Sequence, residues 1–261
     1  MDEQLGERSD AAETSLDRLR LVMGREALAR VQASCVMVLG LGGVGSNCAE
    51  ALARGGVGEL VLVDRDVVAP SNINRQAVAW QSTVGQPKSE VMARMVTDIN
   101  PDCRLTLRRQ FIPKEGCAEF LSSLPHPDFV VDAIDTISQK LAIARWCQDE
   151  GIALISSMGG ANKLDPSCLR VSTIEKTSID PVARVMRKEC RKRGIRGLTV
   201  LFSDEQPLEP IGKWEALGEG GFVREGASIL GTMSYMPPIM GQMMAGHVIC
   251  ELAGLRTRGG R

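Results

Sequence analysis

Aromatic residues are scarce in this chain, with five Phe, three Trp and one Tyr making up 3% of 261 residues. A core built on so few rings must be aliphatic, with 12 methionines to fill irregular gaps. Stacking platforms for nucleobases are equally scarce. Histidine is scarcer still: only His126, in a Pro-flanked loop, and His247, in an apolar stretch. Neither suits the proton donor of a hydride-transferring dehydrogenase, and Tyr235 is the sole tyrosine. Eight cysteines are present, but no two have CxxC spacing, so there is no zinc ribbon and no dithiol redox motif. Charge of one sign is also missing. The net charge of −1 excludes a general nucleic-acid coat and leaves room for a local basic patch. The first residues, "MDEQLGERSD", are acidic and polar, unlike a signal peptide, and point to a reducing cytoplasm. There is no internal repeat and no low-complexity tract. One long stretch, Gly226 to Cys250, carries no formal charge, but Pro237 and Pro238 break it. The helix after them, roughly 24 Å long, is short for a membrane span. A buried or dimer-interface helix is expected there, with membrane association through 226–250 as the alternative.

Along the chain, strands and helices alternate. A polar N-terminus (1–14) precedes a helix expected from near Ser15, its cap, to Ala33. "CVMVLG", "GELVLVD", "RLTLRR", "DFVVDAID" and "IALISSMG" read as strands. "SNCAEALAR", Pro87 to Asn100 and Gln139 to Glu150 read as helices between them. This pattern predicts an α/β fold with a doubly wound, mostly parallel sheet over 15–160. After Gly160, "CLRVSTI" and "LTVLFS" suggest strands of a second, mixed layer, with Asp180 capping a helix that starts at Pro181. Residues 161–255 would serve substrate binding and dimerisation, with a mobile loop at 204–225 and a flexible tail at 256–261.

The stretch "CVMVLGLGGVGSN" is a strand running into glycines. Gly40, Gly42 and Gly45 have the spacing that lets backbone approach phosphate and aims a helix N-terminus at negative charge. Asp64 ends the second strand, where a ribose-hydroxyl acceptor is expected. The nucleotide could be NAD or ATP. A triphosphate asks for extra cations, and Arg75 in "NRQ" and Lys88 after Pro87 can supply them. Asp135, just past a strand end, can hold a magnesium ion bridging phosphates. Each alone is an ordinary surface residue. Together, in this order, they favour ATP.

"GLGGVGS", "VLVDRD", "SNINRQ", "VGQPKSEVM", "INP" and "VVDAID" resemble the adenylating domain of ubiquitin-activating-enzyme-like proteins. That superfamily includes the bacterial sulfur-carrier activators of molybdopterin and thiamine synthesis. "DPSCLRVSTIEKTSIDPVARVMRK" and "LFSDEQP" extend the likeness, to about Leu255, toward the tRNA threonylcarbamoyladenosine dehydratase branch. The resemblance implies a Rossmann-like adenylation domain that uses ATP and Mg²⁺. It implies that Gly40, Gly42, Gly43 and Gly45 line the phosphates and that Asp64 binds ribose. Asp66, Ser71, Asn72, Arg75 and Gln76 would meet the nucleotide, Lys88 its phosphates, and Asp135 the metal. The doubled Gly42-Gly43 fits the adenylating families. Arg20, with Arg18 behind it, would reach across a homodimer.

The implied reaction adenylates the threonyl carboxylate of the modified adenosine next to the tRNA anticodon, then closes a ring as AMP leaves. The ring closure is intramolecular and needs no enzyme nucleophile. Some dehydratase relatives carry a cysteine just before the "FS" block. Here Leu198 to Phe202 has none; Cys168 and Cys190 remain as candidates, with buried or incidental thiols the preferred reading. Arg184, Arg187, Lys188, Arg191, Lys192, Arg193 and Arg196 form a basic run offset only by Glu189. Arg184, Lys188 and Arg191 share one helix side, which suits either tRNA phosphates or plain solvent. The rival readings are an activator of a ubiquitin-like sulfur carrier, with sulfur-relay partners, and a nucleotide-binding module without turnover.

Overall fold

The structure, a computed structural model, describes residues 13–209 and 230–255. Most of the segment 204–225, the first 12 residues and the tail 256–261 lie outside the described residues.

The strands form where apolar, β-branched runs occur. β1 (Cys35–Leu39) is buried at all five residues, as a strand covered on both faces must be. β2 (Glu59–Val63), β3 (Arg104–Arg108), β4 (Phe129–Asp132), β5 (Ala153–Ser157), β6 (Leu169–Thr173) and β7 (Thr199–Ser203) complete one seven-stranded sheet. Its order is β3-β2-β1-β4-β5-β7-β6. All neighbours are parallel except β6, which runs antiparallel to β7. The mixed character expected after Gly160 is present, but not as a second layer. β7 pairs in parallel with β5, from Ile155 opposite Thr199 to Ser157 opposite Leu201, so both strands widen the first sheet.

Alternation along the strands divides the core. Val36, Val38, Leu60 and Leu62 point into one apolar cluster; Met37, Leu39, Val61 and Val63 point into the other. Helices α3 (Gly43–Arg54) and α4 (Lys88–Ile99) cover the first face. Helices α5 (Cys117–Ser122), α6 (Ile137–Glu150) and α7 (Pro181–Arg193) cover the second.

The helix expected from Ser15 to Ala33 is two helices, α1 (Asp17–Met23) and α2 (Arg25–Ala33). Gly24, at φ +82°, leaves the helical region and separates them. Ser15 is not the cap: Leu16 stands at that position, and the amide and hydroxyl of Thr14 donate to Asp17 at 2.9 and 2.7 Å.

The uncharged C-terminal stretch holds α8 (Met236–Leu252). Met240, Met244 and Val248 are fully buried in the first cluster, against α3. This helix belongs to the core. Among the described residues, no helix is long and apolar enough to cross a membrane.

Candidate functional site

The strand order reverses between β1 and β4, and a crevice opens beyond their carboxyl ends, where such sheets hold ligands. A cleft of about 860 Å³ lies there. Gly40, Gly42 and Gly43 form its floor, where β1 turns into α3. The turn depends on missing side chains. A Cβ on Gly45 would stand 1.8 Å from the Gly40 carbonyl oxygen. One on Gly43 would stand 2.8 Å from Pro237 and 3.2 Å from Arg75. The second glycine of the doubled pair thus lets α8 and Arg75 close over the helix start. Gly45 supports the turn from below and does not line the cleft.

Asp64, at the end of β2, is 9% exposed. Its carboxylate accepts from the Leu41 amide at 2.6 Å and the Asp66 amide at 2.7 Å. Burial nevertheless raises its pKa, against the pull of those amides and of Lys88. Lys88 opens α4, is nearly buried and meets Asp66 at 3.2 Å. Arg75 is half-buried. Its guanidinium donates to the Ser71 carbonyl at 3.0 Å and Asn74 Oδ1 at 2.7 Å, and burial lowers its pKa. Asn47 of α3 donates to the carbonyl of Arg75 at 3.0 Å, which fixes that segment to the glycine turn. Gln76 is buried beside it, and its Oε1 has no hydrogen-bond partner among the described residues. Asn72 lines the cleft and accepts from the Ala69 amide at 3.0 Å. Ser71 does not line it; its carbonyl holds Arg75 instead.

Asp135 stands exposed at the opposite lip, with Thr136 donating to it at 3.2 Å. Among the described residues it carries no ion pair, and they contain no cluster of three potential metal ligands. A single carboxylate is a donor set that Mg²⁺ could use beside a bound phosphate, since Mg²⁺ keeps several waters and needs few protein ligands. Arg20 lies outside the cleft, on α1, paired with Asp17.

Several lining residues are not singled out as site residues by the sequence, although Arg65, Pro181 and Val182 fall inside the quoted blocks. Arg65 and Phe111 follow the ends of β2 and β3, with the guanidinium 4.5 Å from the ring centroid. Met158, Gly159, Gly160, Asn162 and Lys163 follow β5, and Pro181 and Val182 open α7. The rule that ligands sit beyond strand carboxyl ends applies to β3 and β5 as well, and offers the one signal for them. Two buried ion pairs border the cleft: Lys140–Asp132 at 3.1 Å and Lys163–Asp180 at 2.6 Å. No spacing in the sequence announces either.

The basic run lies on α7 from Arg184 to Arg193, with Arg196 beyond its end. Asp180 caps this helix as expected, accepting from the Ala183 amide at 2.9 Å. Ala183, Met186 and Cys190 face the core. Arg184, Lys188 and Arg191 are exposed and carry no ion pair among the described residues. Arg187 turns inward to the Thr177 carbonyl at 2.8 Å. Lys192 and Arg193 bind Glu189, holding its carboxyl down at about 2.

Burial pushes the thiols of Cys35 up to about 12 and of Cys103, Cys117 and Cys190 to about 11. None lines the cleft.

A family model described as the ThiF family matches residues 16–258. The chain belongs to the ThiF family. Among ThiF-family relatives, the tRNA threonylcarbamoyladenosine dehydratase of Bacillus subtilis is 42% identical over 90% of this chain and 93% of its own length. The Escherichia coli enzyme of the same name is 31% identical over 97% of this chain and 98% of its own. The solved structure of that enzyme in complex with ATP matches with a TM-score of 0.81 at 30% identity, covering 94% of this chain and 96% of that one. Its complex with AMP gives a TM-score of 0.82. The sulfur carrier protein ThiS adenylyltransferase of E. coli is 31% identical over 68% of this chain and 71% of its own length.

Proposed function

We propose that this ThiF-family chain dehydrates threonylcarbamoyladenosine in tRNA, next to the anticodon, at the expense of ATP. The observation that carries this reading is the near full-length likeness to such dehydratases, ATP- and AMP-bound structures included. The cleft supports it from the residues upward.

The triphosphate would lie over Gly40, Gly42 and Gly43, against the α3 N-terminus. Asp64 would accept from a ribose hydroxyl. That contact repays part of the desolvation that raises its pKa. A threonyl carboxylate oxygen attacks the α-phosphorus, and the bond to pyrophosphate breaks. Arg75 and Lys88 offset the negative charge that builds on the phosphates, which requires Lys88 to exchange Asp66 for phosphate oxygen. Asp135 would hold Mg²⁺, which supplies further charge neutralisation at the phosphates. The carbamoyl oxygen then attacks the activated carbonyl carbon. AMP departs with one carboxylate oxygen, the carbamoyl nitrogen loses its proton, and a five-membered ring is closed. The net change is loss of water from the nucleoside. Proximity drives the second step, so no thiolate is needed, in keeping with the raised thiols.

The same reading divides the chain in function near residue 160. Residues 15–160 serve the nucleotide, and 161–255 the acceptor. Arg184, Lys188 and Arg191 would follow the tRNA backbone, with Arg187 and Lys192 held by their own partners. A homodimer is supported by Leu21 and Val22, 80% and 86% exposed on α1 beside Arg20, which would reach the partner's cleft. The cytoplasm, with its ATP and tRNA, is the compartment this chemistry needs. A sulfur-carrier activator is the second reading, favoured by the likeness to the ThiS adenylyltransferase, and it would bring sulfur-relay partners.

The deciding experiment mixes protein, ATP and tRNA, then weighs the digested nucleosides. Loss of one water from threonylcarbamoyladenosine is expected. Unchanged nucleosides, with adenylation of a Gly-Gly carrier tail instead, would replace this reading by the second.

A further inference from the structure

Only two non-glycine residues among those described have positive φ: Asn162 and Ile179, both at +57°. Each immediately precedes one member of the buried Lys163–Asp180 pair. Ile179 is β-branched and 52% exposed, so no packing demand explains its left-handed backbone. An ion pair taken wholly out of water adds little net stability over an apolar pair. Two unfavourable features, strain and burial of charge, therefore meet at one locus beside the cleft. Strain of this kind persists where the surroundings impose a required geometry.

The contacts show what that geometry joins. Lys163 is 1% exposed, and its Nζ reaches Asp180 Oδ2 at 2.6 Å, the Gly159 carbonyl at 3.0 Å and the Ser203 carbonyl at 3.3 Å. One ammonium thus ties the cleft wall after β5, the end of β7 and the root of α7. The other oxygen of Asp180 caps α7 through the Ala183 amide. Asn162 holds the lip: its carbonyl accepts from the Leu208 amide at 2.8 Å, and its Oδ1 from the Gly231 amide at 2.7 Å. None of these bonds touches the glycine turn, Asp64, Arg75, Lys88 or Asp135.

We propose that Lys163 and Asp180 are positioning residues for the acceptor. Their pair fixes the cleft wall and the basic helix α7 in a single arrangement. Phosphate contacts set the register of a bound nucleic acid. Here the helix carrying Arg184, Lys188 and Arg191 also supplies cleft residues Pro181 and Val182 from its first turn. The distance between backbone grip and modified base is then set by the pair. This proposal rests on the reading of the acceptor as tRNA.

The test uses the full chain with Lys163→Met, Lys163→Arg and Asp180→Asn. Lys163→Met should raise KM for threonylcarbamoyl-tRNA by at least about tenfold, with the ATP Kd within about twofold of wild type. Lys163→Arg, which keeps the charge, should recover most of the loss. Hydrogen exchange, measured with ATP and without tRNA, should quicken at the Ala183 and Leu208 amides in Lys163→Met. If Lys163→Met does not fold, Asp180→Asn carries the same comparison, since its amide oxygen can still cap α7. An unaltered KM for tRNA overturns the proposal, and so does a parallel loss of ATP and tRNA affinity, which marks a merely structural pair. If wild-type protein leaves the nucleoside unchanged, the functional reading fails; unaltered exchange in the variants then overturns the positioning role separately.

Discussion

In the proposed reaction, Arg75 and Asp135 would be the residues on which the chemistry depends most directly. Arg75 is held by backbone and Asn74, and Asp135 is exposed, so neither carries the fold. Arg75→Ala and Asp135→Ala should each lower AMP formation by about 10²–10³-fold, the scale for losing one transition-state charge partner. The thermal midpoint should stay near wild type; normal turnover in either variant would refute the assigned role. His247 makes a pH prediction. It stacks edgewise on Phe129, and burial lowers its pKa from 6.5 despite Glu251. Below 6.5 the unfolded chain takes up a proton that the folded chain resists. The stability tied to this ring is therefore present above that value and lost as pH falls through the lowered one. Urea midpoints at about pH 5 and about pH 8 should differ more in wild type than in His247→Gln. Asp64, Lys88 and Asp135 are legible in the sequence because each sits at a strand end or helix start, and Arg75 because it falls in the "NRQ" block. Lys163 and Asp180 are not legible as a pair, because their meeting depends on β7 and α7 folding back beside β5.

Two helices decide how the cleft is built and reached. α8 closes the core over α3, and Met244 is fully buried there. Met244→Ala should cost about 2–5 kcal/mol, read from denaturant unfolding, since a rigid interface collapses little around a cavity. The sequence identifies this stretch as a helix, but its lack of charge does not say whether it faces a membrane, a partner or its own core. α7 presents its basic face to solvent while its first turn lines the cleft. Replacing Arg184, Lys188 and Arg191 with Gln should weaken tRNA binding and lower the salt slope by about 1 for each phosphate left without its cation. ATP affinity should not change. A slope equal to wild type would return the basic face to solvent.

At the scale of the molecule, one sheet would carry both halves of the proposed reaction. The cleft floor lies at the switch between β1 and β4, where the nucleotide is proposed to sit, and the β5–β7 extension forms the wall proposed for the acceptor. The exposed Leu21 and Val22 leave an apolar edge on α1, which buries none of its own residues. If α1 forms the proposed homodimer, Leu21→Glu with Val22→Glu should shift the protein toward monomer in sedimentation and lower turnover, because Arg20 would no longer reach a neighbouring cleft. A double variant that stays dimeric and active would place the dimer contact elsewhere.

The sequence by itself determined five strands of the sheet, the glycine turn, and Arg75 and Lys88 as the cations proposed for the nucleotide. Those features are local: apolar runs make buried strands, missing side chains make the turn, and short spacings put charges at strand ends. Tertiary structure decided the rest. It placed β6 and β7 in the first sheet, broke the leading helix at Gly24, turned Arg187 away from solvent and sealed two lysines into ion pairs. Each of these depends on groups far apart in the chain, and on burial that only packing can impose.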